Sequence, residues 1–444
     1  MAAIHEDRRG PTYPATAVAW FTVAVLFILY IRSLADRYLI ALLVEPMKAS
    51  IGLTDFQISL LQGPAFAVFY CICAVPVGLA LDRYSRRWVL FACVLFWSLG
   101  AGACGLAGSF VALAIARALV GGGEAGFSTG AYSIVGDSFP AARVSLAMSV
   151  FVMGGIMGAG IVFLLGGPLV EAILHGAAGD WPLMHYFQPW QRAFLLTGFP
   201  GVLTAVLVFL FPEPARHHTA TDQPGYGDAL RFVASHRRLF TAVFVGFGLI
   251  YTCTIALQLW LPTYLVRVHG WAPGRIGVLL GVAQLLAAAS LPVHGWIVDR
   301  LFRRGVRDAH LFWCIISLSV ALPFAVAALL VSNPWLTIIL FGIYMALALS
   351  SASMGPAATQ VVTPQHLRGR VSALYVLTSG LIAMAVGPSL VGFVTDKILG
   401  DPRMVGTSLI IVVVVIFIPA LGLFALGRAQ MKRLLTDREN QSAA

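Results

Sequence analysis

Charged side chains are scarce in this chain of 444 residues, where Asp, Glu, Lys and Arg together make up 11%. A soluble globular protein carries about 25% of these residues, so this chain cannot cover a water-exposed surface with charge. Its hydrophobic content of 59% and mean hydropathy of +0.87 also exclude an intrinsically disordered chain. The net charge of +10 does not indicate a nucleic-acid-binding protein, because no polar surface carries it. The chain is therefore expected to be solvated mostly by lipid.

Cysteine is also scarce, and each of the six cysteines lies inside an apolar run. They are Cys71, Cys73, Cys93, Cys104, Cys253 and Cys314. Such positions favour small buried hydrophobic side chains over disulfides or metal ligands. The sequence also lacks a P-loop, a catalytic triad and the Cys/His spacing of a metal site. These absences predict a protein that is not an enzyme and that holds no metal and no cofactor.

Long apolar runs are abundant. A helix needs about 20 apolar residues to cross a bilayer, and twelve runs reach that length. They lie at residues 17–44, 56–82, 88–108, 110–136, 144–171, 191–211, 239–266, 275–298, 309–331, 335–361, 371–395 and 404–427. The sequence thus predicts an all-α integral membrane protein with twelve transmembrane helices.

Positive charge is distributed unevenly between the ends of these runs. With the N-terminus placed in the cytoplasm, twenty of the 29 Lys and Arg residues fall on the cytoplasmic side and six on the other. The remaining three, Arg32, Arg37 and Arg117, lie within the runs. Cytoplasmic loops of membrane proteins carry such an excess. We therefore predict a multi-pass protein of the plasma membrane with both termini cytoplasmic, and the preference for Arg over Lys indicates a bacterial source.

Two segments repeat one pattern, G-x-x-x-D-R-x-x-R-R. Residues 78–87 read GLALDRYSRR and follow the second run, whereas residues 295–304 read GWIVDRLFRR and follow the eighth. A repeat at matching positions indicates two homologous six-helix bundles. The predicted organisation is a cytoplasmic tail at 1–16, bundles at 17–212 and 239–427, a cytoplasmic linker at 213–238 and a cytoplasmic tail at 428–444.

Together with twelve spans and cytoplasmic termini, the repeated loop resembles the major facilitator superfamily along nearly the whole chain. The resemblance implies two pseudo-symmetric six-helix bundles, with a substrate path between them near the midplane of the membrane. It also implies a secondary active transporter that works by alternating access. We expect such a protein to function as a monomer.

Five further features are similar to the Spinster branch of that superfamily. They are Asp36-Arg37-Tyr38, Arg117 seven residues before Glu124, WLPTYL at 260–265, Pro212-Glu213-Pro214, and RGRVSALY at 368–375. Spinster proteins move lysophospholipids and sphingosine 1-phosphate, which the resemblance therefore implies as substrates. The Asp-Arg of span one and the WLPTYL string also occur in organic-anion symporters of the same superfamily.

Ionisable side chains inside the apolar runs are few, and their cost in lipid makes each a functional candidate. Asp36, Arg117 and Glu124 are expected to form a mutual cluster. Asp36 and Glu124 are the predicted proton-coupling sites, because a carboxylate whose distance from an arginine changes can bind and release a proton. Arg117 and Arg37 are predicted to bind an anionic substrate headgroup. Alternatively, these charges form a permanent ion pair that only joins two helices.

The second half of the chain offers neutral polar and aromatic groups instead. Those predicted to contact substrate are Tyr251, Gln258, Trp260 and Tyr375, although each could instead pack in the core. A cavity that is charged on one wall and mostly apolar on the other suits an amphipathic anion. The predicted function is proton-coupled transport of such an anion, for example a lysophospholipid or a sphingoid phosphate. The alternatives are a small organic-anion or drug transporter, and a non-transporting receptor or membrane enzyme.

The repeated loops carry the predicted cytoplasmic gate. Its residues are Gly78, Asp82, Arg83, Arg86, Arg87, Gly295, Asp299, Arg300, Arg303 and Arg304, with Arg143 and Arg370 near the starts of spans five and eleven. A carboxylate at the end of one helix can meet the positive N-terminus of a helix in the other half. Asp82 is therefore expected to face Arg370, and Asp299 to face Arg143, when the cytoplasmic side is closed. Alternatively, the loops only determine topology.

Overall fold

The computed structural model describes residues 13–216 and 226–443, and all the secondary structure within these ranges is helical. Twelve helical segments are long and apolar enough to cross a membrane. Spans 1 to 12 are, in chain order, Thr16–Leu42, Asp55–Arg83, Arg86–Leu106, Phe110–Ser138, Leu146–Leu174, Pro189–Phe209, Arg237–His269, Pro273–Arg303, Ala309–Leu330, Pro334–Val362, Gln365–Leu399 and Pro402–Asp437. The predicted all-α fold with twelve spans is confirmed. Residues 1–12 of the predicted first tail and residues 217–225 of the predicted linker lie outside the described ranges.

Four spans are interrupted, at equivalent positions in the two halves of the chain. The breaks divide span 2 into Asp55–Gln62 and Pro64–Arg83, span 4 into Phe110–Glu124 and Phe127–Ser138, span 8 into Pro273–Ala288 and Leu291–Arg303, and span 10 into Pro334–Ala348 and Ser350–Val362. Spans 2 and 8 correspond to each other in the duplicated sequence, as do spans 4 and 10. The matching breaks therefore agree with two homologous bundles.

The other spans are built mainly on longer helices. These helices are Thr16–Leu42, Arg86–Leu106, Ala141–Leu174, Pro189–Thr204, Arg237–His269, Ala309–Leu330, Arg368–Phe393 and Val405–Ala443, with shorter helices at Val44–Ile51 and Tyr226–Ser235. The last helix runs through most of the predicted cytoplasmic tail at 428–444 instead of ending with the membrane. Met431 and Leu435 are buried, and their apolar contacts explain why the helix continues.

Local sequence signals begin several spans. The hydroxyl of Thr54 accepts a hydrogen bond from the backbone N–H of Gln57, whose side chain accepts one from the N–H of Thr54. The side chains of Ser109 and Asn333 also accept a hydrogen bond from a backbone N–H in the first turn of spans 4 and 10. The first N–H groups of a helix lack partners within the helix, so these caps fix where the spans start.

The two bundles meet where span 5 packs against span 8 and span 2 packs against span 11. The first contact depends on Gly167 and Gly277, because a Cβ on Gly277 would lie 2.5 Å from the carbonyl oxygen of Phe163. In the second contact, a Cβ on Gly63 would lie 2.6 Å from the carbonyl oxygen of Met384. These contacts lie toward the side of the membrane on which span 1 ends, which we call the closed side.

The opposite side, on which span 1 begins, is the open side. Gly78 and Gly295 of the repeated loops lie there, and a Cβ added to either would meet no atom within 4 Å. The side chains of Asp82 and Asp299 in the same loops are exposed. The two bundles are therefore in contact on the closed side, whereas the repeated loops of the open side are exposed. We interpret this arrangement as a state in which the path between the bundles is closed on one side.

Candidate functional site

Span 4 brings a carboxylate to the middle of the first bundle. Glu124 is the last residue of the helix Phe110–Glu124, at the break in this span. Glycines before it let neighbouring backbones approach, because a Cβ on Gly121 would lie 2.3 Å from the carbonyl oxygen of Phe66 and one on Gly123 would lie 2.5 Å from the nitrogen of Trp97. Spans 2 and 3 close over the carboxylate in this way, and Glu124 is 2% exposed.

The partner of Glu124 is Arg37 of span 1. The Nε of Arg37 donates to Oε2 of Glu124 over 2.8 Å, and Nη2 of the same guanidinium donates to the same oxygen. The guanidinium lies over the ring of Phe66, 4.4 Å from its centroid. Within the part of the chain that the structure describes, the buried Oε1 of Glu124 has no hydrogen-bond partner. The two oxygens of this carboxylate therefore differ, because Oε2 binds Arg37 and Oε1 binds no described group.

Asp36 and Arg117 lie beside this pair but are bonded differently from the expected mutual cluster. Asp36 accepts a hydrogen bond of 2.8 Å from Arg32, four residues earlier on span 1. Arg117 donates to two backbone carbonyl oxygens, that of Leu61 at 3.1 Å and that of Asp36 at 2.9 Å. The structure therefore pairs each carboxylate with an arginine of span 1, while Arg117 ties three helices together. The spacing of four residues is compatible with the pair of Arg32 and Asp36, but the pairing of Glu124 with Arg37 depends on how spans 1 and 4 are rotated.

The predicted substrate residues of the second bundle divide into two groups. Gln258 accepts a hydrogen bond of 3.0 Å from the hydroxyl of Tyr38, which links spans 7 and 1 next to Arg37. Tyr251 is partly exposed. Trp260 is fully buried and donates to the carbonyl oxygen of Pro388 over 3.2 Å. Tyr375 is 2% exposed and packs among phenylalanine rings. In this conformation Trp260 and Tyr375 are packing residues.

The predicted gate contacts are absent from the described residues of this conformation. Asp82 and Asp299 have exposed side chains and form no ion pair with Arg370 or Arg143. The remaining gate arginines, Arg83, Arg87, Arg300, Arg303 and Arg304, also lie at this surface. The expected contacts belong to the state in which this side is closed, so they stay a prediction.

Arg86 differs from the other gate residues because it is buried inside the first bundle. Its guanidinium binds the carboxylate of Asp137, donates to the hydroxyl of Ser133 at 2.9 Å and reaches Glu213 at 3.4 Å. Arg86 thus joins the start of span 3, the end of span 4 and the segment after span 6. Burial alone would raise the pKa of Glu213, but hydrogen bonds from Ser85 and Arg86 and the charge of Arg86 hold it below its usual range.

A cluster on the closed side was not anticipated from the sequence. Arg267 at the end of span 7 donates to both carboxylate oxygens of Asp55, over 2.7 and 2.6 Å, and to Glu45 over 2.7 Å. Lys48 also binds Asp55. Arg267 belongs to the second bundle, whereas Asp55, Glu45 and Lys48 belong to the first, and these four residues form the closed-side latch. A further bond of 2.6 Å joins the N–H of Phe56 to the carboxylate of Asp396.

One sequence signal could have located this latch. Glu45 and Asp55 flank the first loop of the closed side, and Arg267 stands in the last turn of span 7. An acid in the first turn of a helix and a base in the last turn are both favoured by the helix dipole. Opposite charges at helix ends of the two halves therefore mark possible cross-bundle pairs, although only the packing selects among them.

Comparison with known proteins agrees with this architecture. A family model described as Major Facilitator Superfamily matches residues 26–388. An MFS-type efflux pump of Mycolicibacterium smegmatis is 27% identical over 92% of this chain and 91% of its own length. Protein spinster of Drosophila melanogaster is 26% identical over 86% of this chain, which spans 62% of that relative's length.

A solved structure confirms the fold. It is that of a bacterial homologue of the human lysosomal transporter Spinster in an inward-facing and unoccupied conformation. It covers 95% of this chain and 99% of its own, with a TM-score of 0.82 at 21% sequence identity. The family match extends over most of the chain, from span 1 into span 11. The chain therefore belongs to the Major Facilitator Superfamily and is similar to the Spinster proteins.

Proposed function

We propose that this secondary transporter couples the movement of an amphipathic anion to protons, and that Arg37 and Glu124 are the coupling pair. The observation that carries the proposal is a buried carboxylate with one oxygen on a guanidinium and the other without a partner among the described residues. A buried charge is costly unless it is paired, so a change in the pairing of Glu124 favours a change in its protonation.

Arg37 is the proposed ligand for the substrate headgroup. Its side chain is 22% exposed, whereas Arg117 is 1% exposed and already bonded to two carbonyl oxygens. A phosphate or carboxylate on the substrate would compete with Glu124 for the Arg37 guanidinium. Protonation of Glu124 removes that competition. Proton binding and anion binding should therefore strengthen each other by the same factor.

Asp36 is the second proposed proton site. Like Glu124, Asp36 accepts a hydrogen bond from an arginine at one oxygen only, in this case from Arg32. Its other oxygen, Oδ1, is buried without a partner among the described residues. Asp36 lies one residue from Arg37, so its charge also affects the headgroup site. We propose that Glu124 carries the transported proton and that the charge of Asp36 changes the electrostatic field around it; transport that keeps its pH dependence in Glu124→Gln would assign the proton to Asp36 instead.

A lysophospholipid or a sphingoid phosphate is the proposed substrate class. The charged groups of the site lie on the first bundle, while the second bundle contributes neutral groups such as Gln258 and Tyr251. A headgroup on one wall and an apolar tail on the other would match this asymmetry. The resemblance to the Spinster branch supports the same substrates.

A small organic anion or drug is the second candidate. A relative of similar length is called an efflux pump, and Trp260 and Tyr375 are packed away from the path in this conformation. Without these two aromatic rings, less of the second wall is left for a long tail. The response of affinity to tail length separates the two candidates.

The remaining proposals concern orientation, location and assembly. The distribution of Lys and Arg supports cytoplasmic termini, which makes the open side cytoplasmic and this conformation inward-facing. Asp82 with Arg370 and Asp299 with Arg143 would then close the cytoplasmic side in the outward-facing state. Both bundles and the whole site come from one chain, which supports a functional monomer. The proposed location is the plasma membrane of a bacterium.

Uptake into proteoliposomes tests the proposed function. The panel contains lysophospholipids, sphingosine 1-phosphate and small organic anions, each measured with and without an imposed pH gradient. We expect a pH gradient to drive accumulation of at least one amphipathic anion by wild type and not by Glu124→Gln. Asp228→Asn, which removes an exposed carboxylate of the linker helix, is the control and should accumulate as wild type does. Accumulation that is unaffected by the gradient in every case would contradict proton coupling.

A further inference from the structure

A cavity lies on the open side, away from the central site. It is enclosed by the residues just before and at the start of span 7 and by the last helix, and its volume is about 280 Å³. Its polar lining includes His236, Arg237, Arg238, Arg433 and Asp437. The cavity therefore sits where span 7 enters the membrane, and neither the transport path nor the gate loops contribute to it.

Positive charge is in excess in this cavity. Arg237, Arg238 and Arg433 have no hydrogen bond or ion pair among the described residues, and Asp437 is the one carboxylate in the lining. The nearby linker helix differs, because there Arg231 is paired with a carboxylate at 2.6 Å. An excess of cytoplasmic arginine is explained by membrane topology, but topology does not require three unpaired guanidiniums to meet around one concavity.

The backbone adds to this positive field. The helix of span 7 begins at Arg237, and no side chain caps it. The positive end of this helix dipole therefore lies at the cavity lined by Arg237 and Arg238. Leu239 and Leu434 supply apolar contacts in the same cavity. A charged headgroup with a small apolar attachment would match both features.

We propose that this cavity binds the phosphate group of an anionic molecule, either the headgroup of an anionic membrane lipid or a soluble organic phosphate. Guanidiniums bind phosphate oxygens in pairs, and basic pockets at the cytoplasmic ends of transmembrane helices suit lipid headgroups. An occupant there would join the start of the second bundle to the last helix.

Binding to the purified full chain in detergent tests this site. The probes are short-chain phosphatidylglycerol, the matching phosphatidylcholine and glycerol phosphate, and native mass spectrometry counts the bound molecules. We expect phosphatidylglycerol to bind more tightly than phosphatidylcholine, and Arg433→Gln to weaken its binding about fivefold. Asp437→Asn should strengthen binding, because it removes the opposing charge. Binding of glycerol phosphate with the same dependence on Arg433 would identify a soluble phosphate as the occupant, and its failure to bind would identify the lipid.

The adjacent Lys432 provides the matched control. It is exposed on the same helix and does not line the cavity, so Lys432→Gln removes the same charge from the same surface. Thermal unfolding of each variant checks that it is folded. Equal binding of the two lipids, or an equal loss in Arg433→Gln and Lys432→Gln, would overturn the proposal, since it would indicate only the general attraction of a basic surface.

Discussion

Arg37 and Arg117 lie against the same aromatic ring, that of Phe66, with guanidinium-to-centroid distances of 4.4 and 5.4 Å. Their partners differ, because Arg37 binds a carboxylate and Arg117 binds two backbone carbonyl oxygens. The carbonyl oxygen of Leu61 lies at the break in span 2, where the interrupted helix gives it no donor, so the bond from Arg117 contributes to stability. The two arginines thus have separate proposed roles. Arg37 exchanges Glu124 for the substrate, and Arg117 holds the helices together.

The two arginines should respond differently to loss of charge. Arg117→Gln leaves two buried carbonyl oxygens with a weaker donor, and we expect its melting temperature to fall by several degrees. Arg37→Gln leaves the buried Glu124 without its ion-pair partner, but Glu124 can take up a proton instead, so we expect a smaller fall in melting temperature and a loss of affinity for an anionic substrate of at least tenfold. Thermal unfolding and equilibrium binding measure the two effects. The reverse result, with Arg37→Gln the less stable variant and Arg117→Gln the weaker binder, would identify Arg117 as the ligand of the headgroup.

Glu213 predicts a pH-dependent contribution to stability. Its pKa is below the usual value in the folded protein, so its interactions stabilise the fold at pH values above its unfolded pKa of about 4.3. That contribution is lost as the pH falls through the lower, folded pKa. Glu213→Gln should therefore melt at a lower temperature than wild type at pH 7, and the difference should shrink below about pH 4. A difference that persists unchanged into acid would show that the charge of Glu213 is not its source.

At the scale of helices, the ends of the spans decide which side is closed. The latch of Arg267, Asp55, Glu45 and Lys48 joins the end of span 7 to the start of span 2. Asp55 is fully buried and Arg267 is 6% exposed, so removing either one takes the main partner from a buried charge. Loss of one partner from such a buried pair is strongly destabilising, and here the cost falls on one conformation. The latch therefore favours the state that the structure represents.

Mutations in the closed-side latch and in the predicted gate of the open side should shift the balance between the two conformations in opposite directions. Arg267→Gln should increase the population that is open on the present closed side, because it removes the latch. Asp82→Asn should decrease that population, because it removes a predicted contact that closes the other side. Spin labels on the closed-side loops, measured by pulsed electron resonance, report the distance between the bundles. Shifts of both variants in the same direction would contradict the assignment of one contact to each state.

At the scale of the whole molecule, the sequence predicts the fold better than the site. Twelve apolar runs and the repeat of GLALDRYSRR as GWIVDRLFRR are enough for two six-helix bundles, because lipid leaves few other solutions for such runs. The pairing of Glu124 with Arg37 instead of Arg117 needs the rotation of spans 1 and 4, which spacing within one helix does not specify. The latch needs the docking of two bundles, and the burial of Trp260 needs the packing of span 7 against span 11.

Substrate shape is also a property of the whole cavity. If an anionic headgroup binds the first bundle and a tail lies along the second, affinity should rise with acyl length at a fixed headgroup until the tail fills the space. Each buried methylene contributes up to about 0.8 kcal/mol, which is about fourfold in affinity. A series of lysophosphatidylglycerols that differ only in acyl length measures this. A flat response, with tight binding of an anion that has no tail, would favour the organic-anion candidate.

The most direct test of the coupling proposal is the affinity for lysophosphatidylglycerol as a function of pH, in wild type and in Glu124→Gln. The phosphodiester of this ligand keeps its charge across the range from pH 8 to pH 5, so any change in affinity comes from the protein. We predict that wild type binds more tightly as the pH falls, by up to about tenfold per pH unit, because protonation of Glu124 releases Arg37. Glu124→Gln should bind with the affinity of the protonated state and with little dependence on pH. An affinity of wild type that does not change with pH, or a pH dependence that survives in Glu124→Gln, would contradict the account.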